Sequence, residues 1–243
     1  MENIIYNPYF VNICTAIVTF IFSFTLAYFI HKIRYKRENW IIKEFFKKNI
    51  RIVVAQHNDF CDYESSGLIG VGCFNALFEL QKKAYKQKEL QDNILFFNDL
   101  NKDKDIKSNL IIIGGPDVNP LTLDFLKTIN SNITYRDNNE HIISCFDRID
   151  NRFLYPSMDN VKGCGNDYGI VIKTKNPINT NSNILIIFGG YGYGTWGAMR
   201  YALSKEIKKE IKKIESNSFE CVLRIDVMYK KIQTIKIERL TKI

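Results

Sequence analysis

A single uncharged stretch near the N-terminus decides what kind of protein this chain can form. Residues 9–30 read YFVNICTAIVTFIFSFTLAYFI, and no Asp, Glu, Lys or Arg interrupts them. About 20 consecutive apolar residues in a helix cross the hydrocarbon core of a bilayer. Aromatic residues stand at both ends of the stretch, where such rings favour the membrane interface. The sequence therefore predicts a transmembrane helix at about residues 9–30.

A cleaved signal peptide is the alternative interpretation of this stretch. Such a peptide begins with basic residues, has a shorter apolar core and ends in a small-residue cleavage site. Here the basic residues follow the apolar run, and no A-x-A site comes after it. These features favour a span that is retained in the protein.

Basic residues directly after the span predict its orientation. Residues 32–51 contain eight Lys and Arg but only two Glu, and the whole chain has a formal net charge of +8. Because positive charge accumulates on the cytoplasmic side of a span, we expect a single-pass protein of the inner membrane with the N-terminus outside. Residues 50–243 would then be cytoplasmic. The basic segment would attract anionic membrane lipids, and no direct nucleic-acid binding is expected because no comparable patch follows.

Polar residues inside the span bear on self-association. Thr15, Thr19 and Ser23 recur every four residues and share one helix face, which could pack against a second span. The alternative is that each hydroxyl bonds to the carbonyl four residues earlier in its own helix. Asn12 is costly to bury alone in lipid and favours a homo-oligomer.

The remaining sequence divides into a basic juxtamembrane segment, residues 32–49, and one domain, residues 50–243, which follow the N-terminal segment 1–31 with its span. Buried strands are predicted at 50–55, 94–98, 110–113, 168–173 and 184–188. Helical patterns alternate with them, including a long helix over 198–216. This alternation is typical of a Rossmann-like, three-layer α/β domain with a largely parallel sheet. A C-terminal antiparallel hairpin is predicted over 220–238.

Two glycine-rich turns follow predicted strands and would meet at one edge of the sheet. Residues 192–197 have the spacing G-x-G-x-x-G between a strand and a helix, and Gly114-Gly115 ends another strand. Ligands of such sheets bind beyond the C-terminal strand ends, where helix N-terminal amides attract anions. We therefore predict a shared cleft for a small anionic ligand, with a nucleotide as the leading candidate. The predicted ligand-binding residues are Gly114, Gly115, Asn119, Thr122, Gly190, Tyr191, Gly192, Tyr193, Gly194, Thr195, Trp196 and Arg200.

Structural roles could account for the same residues. The glycines could serve only tight turns, Asn119 and Thr122 could cap the next helix, Trp196 could belong to the core, and Arg200 could pair with an acid. A dinucleotide cofactor is disfavoured because no acid is well placed about 20 residues after the fingerprint. No cofactor is predicted.

An enzyme is the second hypothesis. His57, Asp59, Asp62 and Glu64 share one loop and could form a catalytic or metal-binding cluster, although loops are commonly polar. His57, Asp59 and Asp62 would be the catalytic candidates of a hydrolase or glycosyl-bond-cleaving enzyme that acts on a nucleotide. The sequence has no H-E-x-x-H, G-x-S-x-G, Walker lysine or C-x-x-C motif. No metal site is therefore predicted, and a binding protein is favoured over an enzyme. The cysteines are expected to be free thiols because the domain is predicted to be cytoplasmic. A non-catalytic membrane scaffold is the third hypothesis.

Three motifs together resemble an uncharacterised bacterial family of Rossmann-like domains. They are GGP-x-x-N-P-x-T at residues 114–122, DYG at 167–169 and GGYGYGTWGAMRY at 189–201. The resemblance covers about residues 50–243, and the family, whose activity is not settled, is attached elsewhere to DNA-binding or other modules. One span followed by such a domain is also loosely similar to membrane effectors of bacterial defence, whose CARF- or SLOG-type domains bind nucleotide signals. These resemblances imply a membrane-anchored sensor.

Overall fold

The computed structural model divides the chain into two compact units, Met1–Trp40 and Ile41–Ile243. It describes residues 8–38, 44–46, 49–57, 68–84, 91–137, 143–159 and 161–243. The second unit begins ahead of the predicted domain boundary at residue 50. The reason is that residues 44–46 pack on the sheet that follows them.

The described part of the first unit is one helix, α1 (Pro8–Glu38). Its segment Val11–Ile33 is long and apolar enough to cross a membrane, and none of that segment is buried. The predicted apolar helix is therefore confirmed. The hydroxyls of Thr15 and Thr19 donate to the carbonyls of Val11 and Thr15, both at 2.8 Å. These two hydroxyls are thus satisfied within α1 and need no second helix.

An eight-stranded mixed sheet forms the centre of the second unit. Its strands in the described part of the chain are β1 (Ile50–Val54), β2 (Ile94–Phe96), β3 (Asn109–Ile113), β7 (Ser157–Asp159), β8 (Cys164–Lys175), β9 (Asn183–Gly189), β10 (Phe219–Met228) and β11 (Lys231–Lys242). The main path of the sheet runs β11-β10-β8-β9-β3-β1-β2, and β7 pairs with β8 beside this path. The neighbours β2, β1, β3 and β9 are parallel, whereas β8, β10 and β11 pair antiparallel with their neighbours. The predicted α/β class is confirmed.

Among the described residues, a three-stranded antiparallel sheet and four longer helices complete the unit. The small sheet contains β4 (Ile133–Asp137), β5 (Ile143–Asp147) and β6 (Arg152–Phe153). The helices are α2 (Val71–Ala84), α3 (Pro120–Thr128), α4 (Gly192–Ala202) and α5 (Glu206–Ile214), and single 3-10 turns lie at Gln91–Asn93, Phe97–Asp99 and Asp105–Lys107.

The two faces of the main sheet carry different layers. Tyr168, Ile170 and Ile172 of β8 belong to one apolar core with Phe125 of α3 and Ile133 of β4. Successive side chains of a strand point to opposite faces. The intervening residue Gly169 accordingly packs against α4, where a Cβ atom would lie 3.1 Å from that of Ala198. The sheet is thus covered by α3 and the small sheet on one face and by α4 on the other.

The prediction of one long helix over residues 198–216 is wrong. The structure has α4, which already begins at Gly192, and a separate α5. Leu203, Ile207 and Ile211 continue one apolar period across the break and are all buried, which explains why the pattern predicted a single helix. Ser204 lies in the break, and its hydroxyl accepts a hydrogen bond from the amide of Ile207 at 3.5 Å.

Candidate functional site

A pocket of about 490 Å³ opens where the first turns of α2 and α4 meet. It is lined by Val71, Gly72, Asn75, Met158, Tyr191, Gly192, Tyr193, Trp196 and Lys230. The lining comes from both helices, from β7 and from the turn between β10 and β11. These elements all end or begin at the edge where the parallel strands have their C-terminal ends.

Two glycines bring the helix ends together. A Cβ atom on Gly72 would lie 2.3 Å from Cα of Gly192, a distance that no side chain could tolerate. Val71 begins α2 and Gly192 begins α4. The N-terminus of a helix carries a partial positive charge and unpaired amides, so the close contact concentrates two such ends at the pocket.

Aromatic side chains form one wall of the pocket. Tyr191 is exposed, whereas Tyr193 and Trp196 are half-buried. The indole Nε1 of Trp196 donates to Oε1 of Glu79 on α2 at 3.5 Å, and the Arg200 guanidinium lies 5.8 Å from the centre of the Trp196 ring. Trp196 therefore bridges the two helices and still presents surface to the pocket.

Lys230 supplies a cation at the pocket. It occupies the tight turn between β10 and β11, where Tyr229 and Lys230 have positive φ angles of 50° and 58°. Its amide donates to the carbonyl of Gly163 at 2.9 Å, which ties the turn to the chain ahead of β8. Sequence reasoning missed Lys230 because turns with two left-handed residues are normally indicated by Asn or Gly.

A buried carboxylate, that of Asp167, binds the backbone of the glycine-rich turn that leads into α4. Asp167 is 0% exposed and accepts hydrogen bonds from the amides of Tyr168, Tyr191 and Gly194 at 2.7, 3.0 and 2.5 Å. Burial raises the pKa of Asp167 to about 6, and the three amides oppose that rise. Two amides that we expected to meet a ligand anion are therefore already bonded within the protein.

The glycine turn at Gly114-Gly115 is closed to a ligand by the protein's own atoms. Gly114 has a φ angle of +116°, and a Cβ atom there would lie 2.2 Å from Cβ of Ala55. The side chain of Asn119 accepts from the amide of Leu121 at 3.2 Å and caps α3. The Thr122 hydroxyl donates to the Gly114 carbonyl at 2.8 Å. Gly114, Asn119 and Thr122 are buried and do not line the pocket.

Other predicted ligand residues also lie outside the lining. Gly115 is buried beside the end of β9, where a Cβ atom would lie 3.9 Å from the Gly189 carbonyl oxygen. The amide of Gly190 donates to the Tyr168 carbonyl at 2.9 Å. Gly194 and Thr195 are buried within the first turn of α4. Of the predicted set, the structure therefore brings only Tyr191, Gly192, Tyr193 and Trp196 to this pocket, with Arg200 beside the Trp196 ring.

The predicted catalytic loop is only partly described. His57 is half-buried, and its backbone amide donates to the carbonyl of Leu68 at 2.8 Å. Asp59, Asp62 and Glu64 lie outside the described residues. Within the described parts of the chain, no group of three His, Cys, Asp or Glu side chains could hold a metal ion.

Buried cysteines are poor candidates for nucleophiles. Cys14, Cys73, Cys145, Cys164 and Cys221 are all free thiols. Burial, aided by the nearby Asp117 charge, raises the pKa of Cys73 to about 11 and that of Cys145 to about 12. These two thiols stay protonated at neutral pH, whereas the thiolate is the nucleophilic form.

No protein-family model, curated protein or solved structure matches this chain. The family resemblance of the glycine motifs therefore stays a prediction, and the site is argued from its geometry.

Proposed function

We propose that this protein is a membrane-anchored cytoplasmic sensor that binds a nucleotide in the pocket between α2 and α4. The observation that carries this proposal is the meeting of two helix N-termini, the Lys230 ammonium and three aromatic side chains around one cavity. Its volume, about 490 Å³, falls within the range of about 300–1,000 Å³ that is usual for small-molecule sites.

The anionic group of the ligand is assigned to Lys230 and the first turn of α2. A helix N-terminus attracts phosphate through its amides and its dipole. The deeper amides of Tyr191 and Gly194 bind Asp167 instead, and its carboxylate would repel a phosphate placed there. This assignment replaces the shared cleft between the two glycine turns.

The base is assigned to the aromatic wall. Tyr191, Tyr193 and Trp196 offer ring faces on which a planar base stacks at little entropic cost, because aromatic side chains have few rotatable bonds. Asn75 offers amide donor and acceptor groups to the same cavity. A ligand that combines a planar ring with a phosphate fits both parts of the pocket.

The order of the parallel strands supports a Rossmann-like site at this edge. Read as β2-β1-β3-β9, they follow the order 2-1-3-4 along the chain. This is the order of flavodoxin-like doubly wound sheets, which bind ligands outside the C-terminal strand ends. The proposal includes a role in bacterial defence. That part is based on the loose similarity of one span followed by a Rossmann-like domain to membrane effectors of bacterial defence.

Self-association of the sensor is proposed through the outward face of α2. Val71 and Phe74 are 75% and 56% exposed, and Phe78 is 47% exposed. The rings of Phe74 and Phe78 stack with centres 6.4 Å apart. Contiguous exposed apolar surface commonly marks an interface. Because Val71 also lines the pocket, a bound nucleotide would alter the edge of this face and so the pairing with a second copy.

Calorimetry on the full chain in lipid nanodiscs tests the nucleotide site. Titration with a panel of mononucleotides, cyclic nucleotides and oligonucleotide messengers should give saturable heat for at least one of them. Lys230→Ala and Trp196→Ala should each weaken that binding by about tenfold or more, as expected for a lost charge contact or stacking contact. The matched variants Lys231→Ala and Tyr155→Ala should bind like the unaltered protein.

Two outcomes would overturn the sensor. The absence of heat from every nucleotide, with the protein shown to be folded, removes the proposed ligand class. Equal affinities of Lys230→Ala and Lys231→Ala remove the proposed pocket. Chromatography of the same mixtures tests the hydrolase hypothesis by detecting nucleotide breakdown products. Breakdown by the unaltered protein that is lost in His57→Ala would show that the protein is an enzyme.

A further inference from the structure

A second groove lies at the opposite edge of the main sheet, where the parallel strands begin. Its volume is also about 490 Å³, but its lining is polar and basic rather than aromatic. Arg51, Lys104 and Lys107 supply the cations, and Asn49, Asn179 and Ser182 supply amide and hydroxyl groups. No Asp or Glu is among the residues that line it in the described part of the chain.

Hydrogen bonds hold the groove in shape. The Lys107 carbonyl accepts from Nδ2 of Asn179 at 2.7 Å and from the Ser182 hydroxyl at 2.8 Å. Nδ2 of Asn176, which is buried, donates to the carbonyls of Ile106 and Ser108 at 2.7 and 3.1 Å. The two loops that form the walls are therefore locked together before any ligand arrives.

The charges of the groove are only partly balanced. Nε of Arg51 lies 2.7 Å from Oδ1 of Asp105, a carboxylate that is itself buried. Lys104 and Lys107 are exposed and form no salt bridge with another described residue. Two ammonium groups thus remain available to an anion beside a fixed guanidinium.

The edge that carries the groove also receives the chain from its N-terminal side. Nδ2 of Asn109, the first residue of β3, donates to the Phe45 carbonyl at 3.1 Å. Asn49 lines the groove and lies only eleven residues after Glu38, the end of α1. If α1 anchors the chain in a membrane, as proposed above, this short connection tethers the groove to the bilayer, and the phosphates concentrated at that surface are favoured as its ligand over a soluble anion.

We propose that this groove binds the phosphate of an anionic phospholipid headgroup. Each Lys or Arg near a bilayer surface adds to the attraction of anionic lipid, and a phosphate accepts hydrogen bonds from ammonium, amide and hydroxyl groups alike. The site is separate from the nucleotide pocket, so either can exist without the other.

Lysine acetylation followed by mass spectrometry tests this site on the full chain. Nanodiscs of phosphatidylcholine are compared with nanodiscs that also contain phosphatidylglycerol. Lys104 and Lys107 should react at least threefold more slowly in the anionic discs. Lys162 and Lys231, at the opposite edge of the sheet, serve as internal controls and should change less than twofold.

A pair of variants supplies an independent measurement. Hydrogen exchange of residues 104–108 and 179–182 should slow in anionic discs for the unaltered chain and for Lys162→Glu/Lys231→Glu. It should not slow for Lys104→Glu/Lys107→Glu. Equal lysine reactivity in both discs overturns the proposal. It is also overturned if inorganic phosphate in phosphatidylcholine discs gives the same protection, because the ligand is then a soluble anion.

Discussion

Nζ of Lys173 on β8 lies 2.8 Å from Oε1 of Glu44, a residue that precedes the first strand of the sheet. Lys173 is 2% exposed, and the neighbouring Phe45 is completely buried. Nδ2 of Asn183 also approaches Oε1 of Glu44, at 3.4 Å. An ion pair and an apolar side chain thus fasten the segment that follows α1 in the chain to the middle of the sheet.

Glu44→Gln should destabilise the domain. The substitution removes the carboxylate from a buried ammonium, and breaking such a pair is costly because the remaining charge stays desolvated. We expect a loss of about 1–3 kcal/mol in the free energy of unfolding, measured by denaturant titration of the full chain in detergent. Glu210→Gln removes half of the exposed pair with Lys213 and should cost less than about 0.5 kcal/mol. Equal losses would show that the Glu44 pair is only a surface contact.

Asp167 should make the stability of the protein depend on pH. Its pKa in the folded protein, about 6, lies above the ordinary value of 3.8. The folded state therefore binds this proton more tightly than the unfolded chain does. The resulting stabilisation is complete below the ordinary pKa and disappears as the pH rises through about 6.

Asp167→Asn isolates this contribution. The difference in unfolding free energy between the unaltered protein and this variant should shift by up to about 3 kcal/mol between about pH 4 and about pH 7. The shift should favour the unaltered protein at the acidic end. Asp124→Asn removes an exposed carboxylate of α3 and is measured beside it as the matched substitution. A constant difference for Asp167→Asn would contradict the argument.

Arg239→Met should be among the most damaging substitutions in the domain. Nη2 of Arg239 lies 2.9 Å from Oδ2 of Asp147 and 3.0 Å from Oε1 of Glu220, and both acids are 0% exposed. Arg239 thereby joins β5 of the small sheet to β10 and β11 of the main sheet. Two buried carboxylates without their cation should cost about 3–5 kcal/mol in the free energy of unfolding.

The matched control for that prediction is Arg224→Met. Arg224 pairs with Asp226 at 3.2 Å on a partly exposed part of β10, where ion pairs contribute about 0–1 kcal/mol. Denaturant titrations of both variants in one detergent give the comparison. If the two variants lose the same stability, the buried cluster is not what holds the sheets together.

The parts of the fold that sequence predicts are those with a local signal. Strands β3 and β9 contain continuous apolar runs, β1 is apolar except for Arg51, and α1 is an apolar stretch of spanning length. The pairing of β8 is not local, because periodicity does not tell a parallel from an antiparallel neighbour. The structure places β8 antiparallel between β9 and β10, in the interior of a sheet that the alternating pattern predicted to be largely parallel.

The candidate site was predictable only where its residues are adjacent in sequence. The turn around Gly192 has a recognisable spacing, and the structure does place Tyr191, Tyr193 and Trp196 at a pocket. Lys230 and Val71 reach it from segments far apart in the chain, and nothing in their local sequence indicates this. Asp167 is 27 residues from Gly194, so its hold on the glycine turn depends on a strand pairing that sequence alone did not define.

The orientation of the span is tested by reporters fused to the C-terminus. We expect the fusion to green fluorescent protein to fluoresce and the fusion to alkaline phosphatase to be inactive, since both results require the C-terminus to be cytoplasmic. Replacing four basic residues after the span by Gln should raise the phosphatase activity several-fold, because the positive-inside signal is weakened. Those residues are Lys32, Arg34, Lys36 and Arg37. Four exposed or half-buried lysines of α5 provide a control with the same change in charge, and their replacement should leave the phosphatase inactive.

Gly72→Ala tests the close contact of α2 and α4 on which the pocket depends. The new Cβ would lie 2.3 Å from Cα and 2.4 Å from the carbonyl oxygen of Gly192, and both are backbone atoms that cannot rotate away. The first turns of the two helices must therefore separate. We expect a cost of about 1–3 kcal/mol in the free energy of unfolding, the usual range for overpacking.

The same substitution should weaken nucleotide binding at least tenfold in the calorimetric titration, since a displaced helix end no longer meets the ligand with Lys230. Lys83→Ala alters α2 without adding an atom at this contact and should change neither the stability nor the affinity appreciably. Normal affinity in a destabilised Gly72→Ala protein would separate the two effects. It would show that the ligand binds without the junction of the two helices.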